Sequence, residues 1–129
     1  MKFTSILICV LLASLSCKPQ KDNKLTTIQL IDTVANFGTI TGADTLKYNF
    51  VICNTGTNNL ILDTVTTSCG CISYIYSHNP IKSGNAGYIH VLFKPNPGES
   101  GKISKMIMVS TNTKKIYIPL TITYSVSSK

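Results

Sequence analysis

The segment Ile116-Tyr117-Ile118-Pro119-Leu120-Thr121-Ile122-Thr123-Tyr124-Ser125-Val126 sets Ile, Ile, Leu, Ile, Tyr and Val at every second position. Successive side chains of a strand point to opposite faces, so this period of two predicts a strand with one face in a core. Its intervening positions are Tyr117, Pro119, Thr121, Thr123 and Ser125, a β-rich set with no helix former among them. Pro119 cannot donate to a ladder, which predicts that the strand lies at an edge or carries a bulge there.

The same period recurs upstream. Leu46, Tyr48, Phe50 and Ile52 alternate with Lys47, Asn49, Val51 and Cys53, and then comes the turn-rich run Asn54-Thr55-Gly56-Thr57-Asn58-Asn59. That run predicts a tight reversal, with Leu60 to Val65 as the returning strand. A second pair follows. Ile89, Val91 and Phe93 point away from Tyr88, His90, Leu92 and Lys94, the loop from Pro95 to Gly101 intervenes, and Ile103 to Thr111 returns. Asn112-Thr113-Lys114-Lys115 joins it to the last strand, and a first strand is expected around Ile28 to Val34. About seven strands in about 100 residues is the size and rhythm of an immunoglobulin-like antiparallel β-sandwich.

Composition agrees with an all-β reading. The chain has 129 residues, enough for one domain. Only 13% of them are charged and 43% are hydrophobic, too apolar for a disordered chain, and Ala, Glu and Leu are too scarce for a helical bundle. The net charge of +7 comes entirely from lysines. The planar fork that reads guanine edges or clamps phosphates is missing, and the lysines are scattered, so nucleic acid is excluded as an expected partner. The longest run, Lys114-Lys115, falls in a turn and reads as a solvated surface.

The N-terminus reads as an export signal: Met1-Lys2-Phe3, the apolar run Ile6 to Ala13, then the small residues Ser14 and Ser16. The apolar run is too short to span a bilayer as a stable helix. Cys17 follows Ser14-Leu15-Ser16, an order that resembles the lipobox of bacterial lipoproteins, although Ser14 stands where that pattern usually has Leu. The resemblance implies acylation of Cys17, by palmitate or a similar chain, and attachment to the cell envelope at the outer membrane, facing periplasm or surface. The next residues, Lys18 to Lys24, lack apolar periodicity and read as a flexible tether. The expected organisation is a signal peptide over 1–16, a lipidated Cys and tether over 17–24, and the sandwich over 25–129.

Three pieces of the mature chain then line up in order: Asn36-Phe37-Gly38-Thr39-Ile40 with Gly42, Asn49 to Gly56 with Leu60, and Ser68-Cys69-Gly70-Cys71. This order resembles the bacterial domain-of-unknown-function family 1573 (DUF1573), whose members are exported, often lipid-anchored proteins with an immunoglobulin-like fold. The resemblance runs from about Asn36 to Val126. The chain departs from the pattern at Ile72, where Thr is usual, and at Ser83-Gly84-Asn85, where a Pro-Gly-acid turn is usual. The resemblance implies a fold and brings no established activity with it.

The chemistry rests on few groups. With Cys9 removed and Cys17 acylated, the remaining thiols are Cys53, Cys69 and Cys71, an odd number for an oxidising compartment. Positions two apart on a strand lie about 6.6 Å apart, at the limit of disulfide reach, and a turn at Gly70 shortens that. A structural disulfide or packed thiol pair is the leading expectation. The alternatives are a soft-metal site for copper or zinc, in which Cys69 and Cys71 are joined by His78, His90 or Cys53, and a thiol-redox centre. One Cys-to-Cys spacer is shorter than structural zinc sites use. Met106, Met108 and His90 are placed by parity on a shared outward face. The acids Asp22, Asp32, Asp44, Asp63 and Glu99 are not paired in sequence, and no nucleophile elbow or phosphate-binding glycine loop occurs. The expectation is a non-catalytic module that needs no cofactor, held at the membrane through its lipid and binding an envelope protein.

Overall fold

The computed structural model describes residues 24–41 and 44–127. The predicted signal peptide, Cys17, the tether up to residue 23 and Gly42 lie outside the described residues. Eight strands follow in order: β1 (Ile28–Leu30), β2 (Val34–Ile40), β3 (Leu46–Asn54), β4 (Leu62–Thr67), β5 (Ile72–Tyr76), β6 (Ala86–Phe93), β7 (Gly101–Thr111) and β8 (Tyr117–Val126). They form two four-stranded sheets, β1-β3-β6-β5 and β2-β8-β7-β4. All pairings are antiparallel except β2 with β8, which is parallel. The fold is an all-β, immunoglobulin-like sandwich.

The period-two pattern builds the core between the sheets. Phe50 and Ile52 of β3 and Ile89, Val91 and Phe93 of β6 are fully buried on one side; Ile107 and Val109 of β7 and Leu120 and Ile122 of β8 meet them from the other. Phe93 packs against Tyr124 across the gap, with ring centroids 4.8 Å apart. Aromatic pairs in such tilted geometry add about 0.5–1.5 kcal/mol beyond their buried area.

Several expectations from the sequence are corrected. The first strand is two: the chain bends at Ile31 and Thr33 and crosses from one sheet to the other, where Asp32 accepts the Tyr48 hydroxyl at 2.9 Å. The Asn54–Asn59 turn does not close a hairpin, because β3 and β4 belong to different sheets. The same holds for β6 and β7. Turn residues report a reversal of direction, and a reversal between sheets has the same composition as one within a sheet. Ile116 precedes β8 and is exposed.

Pro119 sits in a central strand, between β2 and β7, with no bulge against β7. The backbone explains why. Thr111 N–H donates to Ile116 O at 2.8 Å, so alternation makes Met108–Pro119 a non-hydrogen-bonded pair and turns the missing N–H away from β7. On the other flank, β2 begins pairing only at Val34–Thr121. Pro119 is therefore at a local edge within a central strand.

One polar residue organises the end of the sandwich where the described chain begins. Asn54, almost fully buried, accepts the Thr26 hydroxyl at 2.8 Å and the Gly56 N–H at 3.1 Å. Its amide donates to the carbonyls of Asn58 and Ile81, both at 2.8 Å. Gly56 is required here by space: a Cβ would lie 2.2 Å from Thr26 Oγ1 and 2.6 Å from the Thr27 backbone nitrogen. The Asn-x-Gly motif thus ties the β3 turn to the N-terminal strand.

Candidate functional site

The Cys-Gly-Cys corner links β4 to β5. Cys69 and Cys71 are joined as a disulfide, their Cα atoms 5.1 Å apart, closer than an extended strand would set them because the chain turns at Gly70. The Thr67 hydroxyl donates to Cys69 O at 3.0 Å, and Lys94 N–H donates to Cys71 O at 3.1 Å, which pins both flanks. Two N–H groups face the Cys69 sulfur: the Cys71 backbone at 3.1 Å and the Asn96 amide at 3.6 Å.

Asn96 belongs to the turn Asn96-Pro97-Gly98-Glu99, in which Gly98 takes a positive φ of 83° after Pro97, as a type II turn requires. Glu99 closes that turn by accepting from the Asn96 backbone at 3.2 Å and the Asn96 amide at 3.0 Å. It also accepts from Lys105 Nζ at 2.7 Å and from the Tyr124 hydroxyl. Burial alone would raise the Glu99 carboxyl, but these hydrogen bonds outweigh it and bring it down to about 2. Burial and then the Glu99 carboxylate push Tyr124 well above the usual phenol range. Sequence distance hid this pairing: Glu99 and Lys105 are six residues apart across a loop and a strand, at no helical or cross-strand spacing.

The other candidate ligands lie apart. Cys53 is a free thiol on β3, paired in register with Ala86, while Cys71 lies beside Lys94 at the far end of β6. Eight residues of strand separate the two positions by about 26 Å. His78 follows β5 and packs on the Tyr76 ring, with centroids 4.3 Å apart. His90 lies in β6 between Asn49 and Ile75. Among the described residues no group of three or more His, Cys, Asp or Glu side chains could hold a metal ion. Met106 and Met108 do not share a face with His90, because β7 and β6 belong to opposite sheets whose outer faces point in opposite directions.

The strand edges differ sharply in what they offer a partner. At β4, the Tyr74 and Tyr76 hydroxyls reach across the open side of the sandwich and donate to Val65 O at 2.6 Å and Asp63 O at 3.3 Å. These carbonyls point away from β7, so the tyrosines cap the row that an added strand would need. At β2, the register shifts between Asn36 and Thr39, where Gly38 has a φ of 65° and the Asn36 side chain accepts its N–H; a bulge of this kind deters edge pairing. β1 is three residues long, and the open half of β8 carries Pro119.

β5 has no such guard. Ser77 N–H donates to Tyr88 O and Lys94 N–H to Cys71 O, so by alternation Ser73 and Ile75 make the ladder with β6. The backbone N–H and C=O groups of Tyr74 and Tyr76 point outward, with no backbone partner among the described residues. Beside them the outer face of the sheet carries Ile75 (63% exposed), Tyr88 and Leu92. The sequence reading assigns no strand to Ile72–Tyr76, where the only signal is a five-residue Ile-Ser-Tyr-Ile-Tyr alternation.

A family model described as "Protein of unknown function (DUF1573)" matches residues 28–126. Comparison with the curated proteins gives no match. Among solved structures, a protein of unknown function from Porphyromonas gingivalis W83 superposes with a TM-score of 0.70 at 20% identity, over 80% of this chain and 48% of its own. This chain thus spans about half the length of that protein. The ASH/PapD-like domain 7 of human CEP192 gives 0.63 at 11% identity, covering 91% of this chain and 96% of that domain. The Vibrio cholerae VesB protease gives 0.58 at 15% identity, over 78% of this chain and 32% of its own. At these identities the likeness is one of fold.

Proposed function

The chain belongs to the DUF1573 family, and we propose that it is a lipid-anchored, non-catalytic module of the bacterial cell envelope that captures a partner protein by strand addition at β5. The reading is carried by one observation: among the described residues, β5 is the one sheet edge longer than three residues that presents outward N–H and C=O groups without a cap or a bulge. Main-chain hydrogen bonds supply affinity in such complexes, and pockets for alternate side chains supply selectivity. The matching partner is an extended envelope segment with apolar residues at alternate positions, because Ile75, Tyr88 and Leu92 flank the edge. Cys17 supplies the membrane attachment in this reading, and the signal peptide supplies export.

The test is affinity capture from bacterial envelope extract, with the original chain and an Ile75→Lys variant side by side. Ile75 is exposed, so the substitution leaves the core intact while placing a charge on the edge. A captured protein that is lost with Ile75→Lys supports the reading. A chain that captures nothing, or captures the same protein with the variant, refutes it. The rival reading, thiol-redox chemistry at Cys69 and Cys71, draws support from the two N–H groups aimed at the Cys69 sulfur. Cys69→Ser with Cys71→Ser separates the two, because capture survives in a binding module and the activity disappears in a redox protein.

A further inference from the structure

Exposed large apolar side chains gather at the end of the sandwich where the described chain begins. Leu25, Ile116 and Tyr117 are each more than half exposed. The chain is pinned beside the β7–β8 turn: Asn112 donates to Lys24 O at 2.9 Å, Thr26 N–H donates to Asn112 O at 3.1 Å, and Thr26 bridges to Thr113. Next to this contact opens a groove of about 410 Å³, walled by Ile28, Leu30, Val34, Ile118 and Pro119, with Lys115 at its rim. Lysines surround the cluster. Lys24, Lys114 and Lys115 stand in its segments, and Lys82 lies on the neighbouring loop, whose Gly84 N–H bonds to Asn54 O. The one acid in segments 24–34, 54–60, 81–85 and 110–119 is Asp32, which already accepts the Tyr48 hydroxyl.

We infer that this end of the domain is a membrane-contact surface, in which Leu25, Ile116 and Tyr117 enter the interface of an anionic phospholipid bilayer while Lys24, Lys82, Lys114 and Lys115 meet the headgroups. The inference rests on the export reading, and two features of the chain select a bilayer over other occupants. Cys17 precedes Lys24 by seven residues, a span of about 25 Å at most when fully extended, so a lipid at Cys17 keeps this end within reach of the surface. Four lysines stand against the single acid of these segments, and each lysine close to an anionic surface strengthens partitioning about fivefold. Amphipathic aromatic and aliphatic side chains ringed by lysines are the composition of interfacial anchors. The tether then acts as a short leash, with the β5 edge left on the flank of the sandwich.

The test uses a chain from residue 17 carrying Cys17→Ser, which contains all the described strands and no lipid. It is mixed with sedimentable vesicles of phosphatidylcholine, with and without phosphatidylglycerol. The expected result is binding only to the anionic vesicles, falling steeply from about 50 to about 500 mM salt. Lys114→Gln with Lys115→Gln lowers it about 25-fold, Ile116→Ser with Tyr117→Ser about tenfold, and Lys102→Gln, at the opposite end of β7, leaves it unchanged. Absence of binding to anionic vesicles, binding indifferent to salt, or undiminished binding by the Lys and Ile/Tyr variants overturns the inference. So does a dimer in light scattering that the Ile116/Tyr117 variant dissolves, since the patch would then be a contact between two copies. Palmitate labelling of the full chain in cells, lost with Cys17→Ser, reads the lipid anchor separately, so failure of the anchor and failure of the surface are told apart.

Discussion

Replacing Glu99 by Gln removes the charge from the network that folds the 95–100 loop against the disulfide corner, and its cost is expected to depend on pH. Glu99 has an ordinary value of 4.5 and is held at about 2 in the fold, a difference that converts in full to about 3 kcal/mol. The side chain keeps 15% of its surface exposed, and solvent screening lowers the figure to about 2 kcal/mol. The folded value is depressed, so this stability is present above about pH 4.5 and is lost as pH falls toward 2. By about pH 3 less than half of it remains. In the Glu99→Gln variant the amide oxygen still accepts from Asn96 and Tyr124, but it gives Lys105 no counter-charge. Urea unfolding at about pH 7 is expected to show the variant about 2 kcal/mol less stable, with a Tm lower by about 10 °C. At about pH 3 the gap is expected to fall below about 1 kcal/mol. Groups common to both proteins cancel in the comparison, so a gap of the same size at both pH values would refute the assignment of Glu99 as the low carboxyl.

Other perturbations probe the remaining joints of the fold. Asn54→Ala removes four hydrogen bonds and takes the acceptor from the buried Thr26 hydroxyl, and is expected to cost about 3 kcal/mol in urea unfolding. Gly56→Ala forces a Cβ against the Thr27 backbone and is expected to cost about 2 kcal/mol, with loss of amide protection in residues 24–30 by hydrogen exchange. Alkylation of the native Cys17→Ser chain from residue 17 is expected to add one adduct, at Cys53, and three after denaturation and reduction; three adducts without reductant would contradict the disulfide. Because that bridge closes a very short loop, Cys69→Ser with Cys71→Ser is expected to cost only about 1–2 kcal/mol.

What the sequence discloses and what it hides have a common physical origin. Side-chain alternation is local, so Phe50, Ile52, Ile89, Val91, Leu120 and Ile122 are readable as core positions, and all are buried. The Asn-x-Gly turn is readable as a reversal for the same reason. The partner of each strand is not local: a turn that stays in one sheet and a turn that crosses to the other use the same residues, and the hairpin expected from β3 to β4 fails on that point. Pro119 misleads for a related reason. Whether a missing N–H matters depends on which side of the strand it faces and on where the neighbouring strand starts. The Glu99 network joins residues 96, 99, 105 and 124, and only the folded register brings them together. Tyr74 and Tyr76 resemble ordinary strand residues until the opposite sheet edge is placed within reach of their hydroxyls.

The guarding of the edges bears directly on how the molecule can act. A sandwich with several open edges joins its own copies in more than one direction, and association then has no natural end. Here the tyrosine caps on β4, the bulge in β2, the brevity of β1 and Pro119 in the open half of β8 each remove one direction. Among the described residues, β5 is the edge left open to strand addition. β5 runs along the flank, from the disulfide corner toward His78, with the N-terminal contact at the end of the sandwich away from that corner. A domain resting on its N-terminal end would therefore hold β5 upright and open to the side. In that orientation a partner would add its strand from the side without displacing the domain from the surface, and the Cys69–Cys71 bridge, with its Asn96 and Glu99 supports, fixes the end of β5 farthest from the N-terminal contact.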